Sequence, residues 1–135
     1  MNCVFCKIVA GDIPSYKIYE NDYTLAFLDI NPVSLGHTLV ISKKHYSNLE
    51  ETPEEELCEM IKTVKKVGLA LKDGLGAEGY NILKNNDPIA GQIISHNHFH
   101  VVPRKKGDNL PQWPQGKYVD REVEDILGKI KNSIK

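Results

Sequence analysis

The stretch His96-Asn97-His98-Phe99-His100-Val101-Val102-Pro103 sets a histidine at every second position and then runs into apolar, β-favouring residues. Successive side chains of a strand point to opposite faces, so His96, His98 and His100 project from one face, neighbours roughly 6–7 Å apart. On a helix His98 would point away from the other two, and Phe99, Val101 and Val102 favour the strand. An unperturbed imidazole titrates near about pH 6.5, so near neutrality it can act as nucleophile, acid, base or metal ligand. Three readings stay open: a solvent-facing polar row, a three-histidine zinc site, and a nucleophilic centre for chemistry at phosphorus. The preceding loop, Asn85-Asn86-Asp87-Pro88-Ile89-Ala90-Gly91-Gln92, favours the last. Gly91 lets backbone N–H groups approach an anion, and Gln92 adds a neutral donor.

Outward from this strand, residues 16–20 and 23–29 read as two strands joined by the turn-prone Asn21-Asp22. Asn31-Pro32 breaks the chain, and His37 to Ser42 reads as a third strand; Gly79 to Lys84 gives a fourth, and Phe99 to Pro103 lies in the fifth. Thr52-Pro53-Glu54-Glu55 offers an N-cap hydroxyl, a proline at the first helical position and a capping-box glutamate. Leu57, Met60, Ile61, Val64 and Leu71 then share a helical stripe, and Gly74 or Gly76 ends the helix. Cys58 and Met60 read as packing residues within it. Asp120 caps a last helix, in which Val123, Leu127, Ile130 and Ile134 recur at intervals of three and four. The expected fold is α+β: a largely antiparallel sheet of five strands, one long helix and a C-terminal helix.

The 135 residues, 41% hydrophobic and 26% charged, fit one soluble domain spanning 1–135, with no internal repeat or dividing linker. A net charge of -1 spread along the chain speaks against a nucleic-acid partner but leaves room for a nucleotide ligand. No segment approaches the roughly 20 apolar residues of a membrane span, and the N-terminus does not read as a signal peptide. Cys3, Cys6 and Cys58 are an odd number, which makes a secreted disulfide framework a poor fit and the cytoplasm the expected location. Cys3-x-x-Cys6 by itself suits a redox pair, half a zinc site, or two small buried residues.

Taken together the motifs resemble the histidine triad (HIT) family, in particular its small nucleoside phosphoramidases. The resemblance rests on His96-x-His98-x-His100 with its apolar sequel, Cys3-Val4-Phe5-Cys6-Lys7-Ile8, Phe27-Leu28-Asp29-Ile30-Asn31-Pro32 and Gly36-His37-Thr38-Leu39-Val40-Ile41. Lys43-Lys44-His45, Asn85 and Ala90-Gly91-Gln92 continue the series, all within about residues 3–104. Trp113-Pro114-Gln115-Gly116 looks like the tail of some members.

The resemblance implies that His98 attacks the α-phosphorus to form a nucleotidyl-histidine that water resolves, while His100 contacts the phosphate oxygens. His96 and His37 support and orient them. Asp29 holds the ribose hydroxyls, with Ile30 beside it, Phe5 and Ile8 wall the base pocket, and Asn85, Gly91, Gln92 and Ile93 lie near the phosphate and leaving group. It further implies a structural zinc on Cys3, Cys6, His45 and His96, and a homodimer with Trp113 near the partner's opening. No metal is needed for the chemistry itself. The implied activity is release of a nucleoside monophosphate, AMP or GMP, from phosphoramidates or related conjugates. The alternatives are a dinucleoside polyphosphate hydrolase, a nucleotide-binding interaction protein, and a zinc hydrolase using the triad as ligands. Two residues depart from the family pattern: Asn97 stands where many members have an apolar residue, so its buried amide needs partners, and Ile93 stands where well-known phosphoramidases carry serine.

Overall fold

In the computed structural model, which describes residues 2–135, the first turn is built by Asn21. Its Oδ1 accepts from the N–H of Tyr23 and Thr24 and from the Thr24 hydroxyl, an Asx turn that reverses the chain between β1 (Lys17–Glu20) and β2 (Thr24–Leu28). With β3 (Thr38–Ser42), β4 (Gly79–Leu83) and β5 (His98–Arg104), the strands form one antiparallel sheet in the order β1-β2-β3-β5-β4. The five expected strands are all present, within two residues at either end. Met1, the first residue of the expected domain, lies outside the described residues.

β2 and β3 are buried on both faces because each face is covered by a different helix. α2 (Glu54–Leu75) lays Met60, Val64, Val67 and Leu71 over Ala26, Val40, Phe99 and Val101. On the other face a short helix, α1 (Val4–Ala10), sets Phe5 and Ile8 against Leu25, Phe27, Leu39 and Ile41. The α2 stripe therefore runs through Val67 rather than Ile61, which is half exposed, and Cys58 is exposed instead of packed. α2 ends at Gly76 in the left-handed conformation (φ +70°), which leaves its N–H on Lys72 C=O.

The start of α2 departs from the expected cap. The Thr52 hydroxyl donates to Asn48 C=O and accepts from the Asn97 amide, so it is not available to the helix, which begins at Glu54 after Pro53. The amide nitrogen of the fully buried Asn97 finds its partner in this way, whereas its Oδ1 has none among the described residues. α1 was not anticipated from the sequence. Its signals were Cys3 as N-cap, the apolar spacing of Phe5 and Ile8, and Gly11 closing the helix at φ +84°. At the other end, α3 (Glu122–Ser133) forms where expected, but Asp120 makes no side-chain cap, Ile134 falls outside, and none of its residues is buried. Among the described residues no helix is long and apolar enough to cross a membrane.

Candidate active site

β5 pairs with β3 so that His98 lies opposite Ile41 and His100 opposite Leu39. Leu39 and Ile41 belong to the α1 side of the sheet, and the two histidines share that face. His96 does not continue the strand. The Asn97 N–H bonds to Tyr46 C=O at 2.7 Å, so the chain has left the sheet by Asn97, and the His96 ring swings towards the start of α1. All three rings thus lie on the α1 side of the sheet, His98 and His100 from within the strand and His96 from just before it.

His98 and His100 line a cavity of about 530 Å³ between the sheet and α1, a size suited to a small organic ligand. Phe5, Ile8 and Phe27 make its apolar end. Asp29, Ile30 and Asn31 follow, and Asn85, Gly91, Ile93 and Ile94 border the histidines. Among the described lining residues none is lysine or arginine. The sequence reading did not single out Ile13, Ser15, Asn31, Leu39 or Ile94; these lie in the wall because α1 and the segment after it fold over the sheet. Asp29 acts as a turn residue and as part of the wall at once: one oxygen accepts the Asn31 N–H at 2.8 Å, and the other lies 3.7 Å from His37 Nε2. Gly91 has φ +100°, and a Cβ there would come within 3.3 Å of the Asn85 amide.

The hydrogen-bond partners fix the tautomers of the rings. His98 Nδ1 lies 2.7 Å from His96 C=O, which can only accept, so Nδ1 carries the proton and Nε2 keeps the lone pair. His37 Nδ1 accepts from the Val33 N–H at 3.0 Å, so His37 Nε2 carries a proton and donates it to His100 Nδ1 at 2.9 Å. His100 then bears its own proton on Nε2. The chain of rings leaves one nitrogen that can attack and another that can donate. Burial pulls the pKa of His98 and of His37 below the ordinary imidazole range and that of His100 to about 4, where its histidine neighbours add to the effect. All three rings are therefore neutral near pH 7. The locked His37 Nε2–H also rules against a cation among Asp29, His37 and His100, because the nitrogen facing that cluster has no lone pair to give.

Gln92 corrects an expectation. Its amide hydrogens are spent on Ser47 C=O (2.7 Å) and Ile94 C=O (3.0 Å), and its oxygen accepts the Asp87 N–H (2.8 Å). The side chain ties the loop to the 47–51 segment and does not line the cavity. Asn48 and Asn86 reinforce the tie through Asp87 and the Leu49 N–H.

A second cluster sits beside the first. His96 Nε2 lies 2.6 Å from Ser42 C=O and so carries the proton, which aims the Nδ1 lone pair at Cys3 Sγ (3.4 Å), Cys6 Sγ (3.6 Å) and His45 Nδ1 (3.2 Å). His45 Nδ1 is 3.3 Å from Cys6 Sγ. A tetrahedron with ordinary Zn–S and Zn–N bonds has edges of about 3.3–3.8 Å. The four donor atoms fit zinc, and two soft thiols with two imidazoles are a donor set zinc favours. A triad zinc hydrolase does not fit, because His96 is committed here, away from His98 and His100.

The comparisons agree with this architecture. A family model described as HIT domain matches residues 10–107. Adenosine 5'-monophosphoramidase hnt1 of Schizosaccharomyces pombe is 41% identical, with 100% of both chains covered. A crystal structure of a HIT family member from Bacillus subtilis superposes with a TM-score of 0.90 at 40% identity, covering 100% of this chain and 99% of that one. A Zn-bound histidine triad family protein from Mycobacterium smegmatis gives a TM-score of 0.80 at 39% identity over 99% of each chain. With the five-stranded sheet, the paired histidines and the Cys/His cluster already in place, these matches lead to one conclusion: the chain belongs to the HIT family.

Proposed function

We propose that this protein hydrolyses nucleoside 5'-phosphoramidates or related nucleotide conjugates and releases the nucleoside monophosphate. The observation that carries this is the neutral His98, with its proton held on His96 C=O and its Nε2 lone pair free at the cavity wall. Nε2 attacks the α-phosphorus as the P–N bond breaks, and the leaving nitrogen takes a proton from solvent and departs as the amine, while His98 keeps its Nδ1–H. Water then attacks the same phosphorus and frees His98, so one difficult displacement becomes two easier ones. His100 Nε2–H, held by His37, donates to the phosphoryl oxygens as charge develops there. Asp29 takes the ribose hydroxyls, and Phe5 and Ile8 the base. The relative from Schizosaccharomyces pombe, named for this activity, supports the reading.

The described wall carries no lysine or arginine, with Lys84 the one lysine that acts on His98 and His100 from behind it, a charge supply better matched to a single phosphoryl group than to a dinucleoside polyphosphate. Steady-state rates in one buffer test this: kcat/KM for adenosine 5'-phosphoramidate should exceed that for diadenosine tetraphosphate by at least about tenfold. The opposite order would overturn the assignment.

The Cys3, Cys6, His45 and His96 cluster would hold a zinc that braces the strand entry and takes no part in bond-making. Free cysteines of this kind suit a reducing compartment such as the cytoplasm. The protein is proposed to work as a homodimer. β4 is an open sheet edge, and Trp113, Tyr118, Val119 and the apolar face of α3 are exposed, surface that a second copy of the chain would cover. Light scattering at micromolar concentration should give twice the chain mass of 15.2 kDa; a monomer would refute it.

A further inference from the structure

Ser15 sits in the cavity wall between Ile13, Pro14 and Phe27, yet its hydroxyl has no hydrogen-bond partner among the described residues and is shielded from solvent. The placement follows from the backbone. Tyr16 C=O accepts the Leu28 N–H at 3.0 Å, which pins this segment along β2. Tyr16 points outward and is exposed, and its neighbour Ser15 points inward. A hydroxyl buried without a partner is costly, and most such groups in folded proteins are satisfied. Had Ser15 a purely structural task, its Oγ would meet a carbonyl or an N–H. It meets neither. In the apolar half of the cavity, from Val4 round to Leu28, Ser15 is the one polar side chain among the described lining residues.

We propose that Ser15 is a base-recognition residue: its hydroxyl hydrogen-bonds the nitrogen- or oxygen-bearing edge of the nucleobase in the Phe5–Ile8–Phe27 pocket. This rests on the nucleotide reading above. Rotation about one bond, between staggered positions, turns Oγ from the wall to the cavity. Apolar contact with Phe5 and Phe27 is indifferent to which base is present, whereas a directed hydroxyl rewards a base that offers a heteroatom at that point. Because a hydroxyl both donates and accepts, it serves adenine and guanine edges alike.

Calorimetric titration with AMP and with ribose 5-phosphate separates the possibilities. Ser15→Ala should weaken AMP binding about 5- to 20-fold and leave ribose 5-phosphate binding as in the wild type. Its thermal midpoint should be no lower than that of the wild type, since no protein hydrogen bond is lost. Ser15→Thr, which keeps the hydroxyl, should bind AMP more tightly than Ser15→Ala. Equal AMP affinity in wild type and Ser15→Ala would overturn the role of Ser15 alone. An equal loss for both ligands, with a lower midpoint, would make Ser15 a structural residue and overturn it as well. Failure of the wild type to bind AMP at all would bring down the nucleotide reading and this inference together.

Discussion

His98→Asn removes turnover by at least about 10³-fold and leaves AMP binding within roughly threefold of the wild type. The asparagine amide can still donate to His96 C=O, so the strand entry is preserved, but no lone pair remains to attack phosphorus. The groups proposed to bind the nucleotide, Asp29, Phe5 and Ile8, stay in place. The covalent step can be caught directly. Rapid alkaline quenching of wild type with substrate labelled at the α-phosphorus, followed by peptide mapping, should place the label on His98. Alkaline conditions matter because phosphorus bound to imidazole is lost in acid. Robust turnover by His98→Asn, or label on another residue, would overturn the mechanism.

The second large effect belongs to the Cys/His cluster. Protein purified without added zinc or chelator should carry about one zinc per chain, and Cys3→Ser or Cys6→Ser should lower the thermal midpoint by roughly 10 °C or more. His96 links this cluster to the reaction: its Nδ1 faces the thiols, and its carbonyl holds the His98 proton. With zinc bound, four protein donors would close a tetrahedron and leave no open position for substrate. A chelator added to folded enzyme should therefore leave the initial rate unchanged, and activity should decline only as the metal leaves. Consistent absence of metal would reduce the cluster to packing. Immediate loss of activity on chelation would instead make the metal a participant in the reaction.

The sheet was legible because its signals are local. Asn21 at the hairpin, the short β-favouring runs and the histidine spacing each speak through neighbours in sequence. The candidate site was legible through the ordered motifs that carry the family resemblance, since the histidines alone and Cys3-x-x-Cys6 alone each left three readings open. It was not legible where a side chain has several possible partners. Gln92 reads equally well as a phosphate donor and as a staple for its own loop, and only the position of the Ser47 and Ile94 carbonyls decides. Thr52 reads as a cap until Asn97, 45 residues away, claims its hydroxyl. α1 escaped notice because seven residues give barely two turns, too short for periodicity to speak. Its stability comes from the surface it covers, as is general for short helices.

The unequal covering of the sheet sets an order of opening. On one side, 22 residues of α2 close a continuous core; on the other, the 7 residues of α1 do the same duty. Hydrogen exchange should show it: the amides behind α2 are expected to be the slowest in the molecule, and those of α1 to exchange faster through local opening. The layer that walls the cavity is the layer most cheaply lifted, and it is anchored at Cys3 and Cys6.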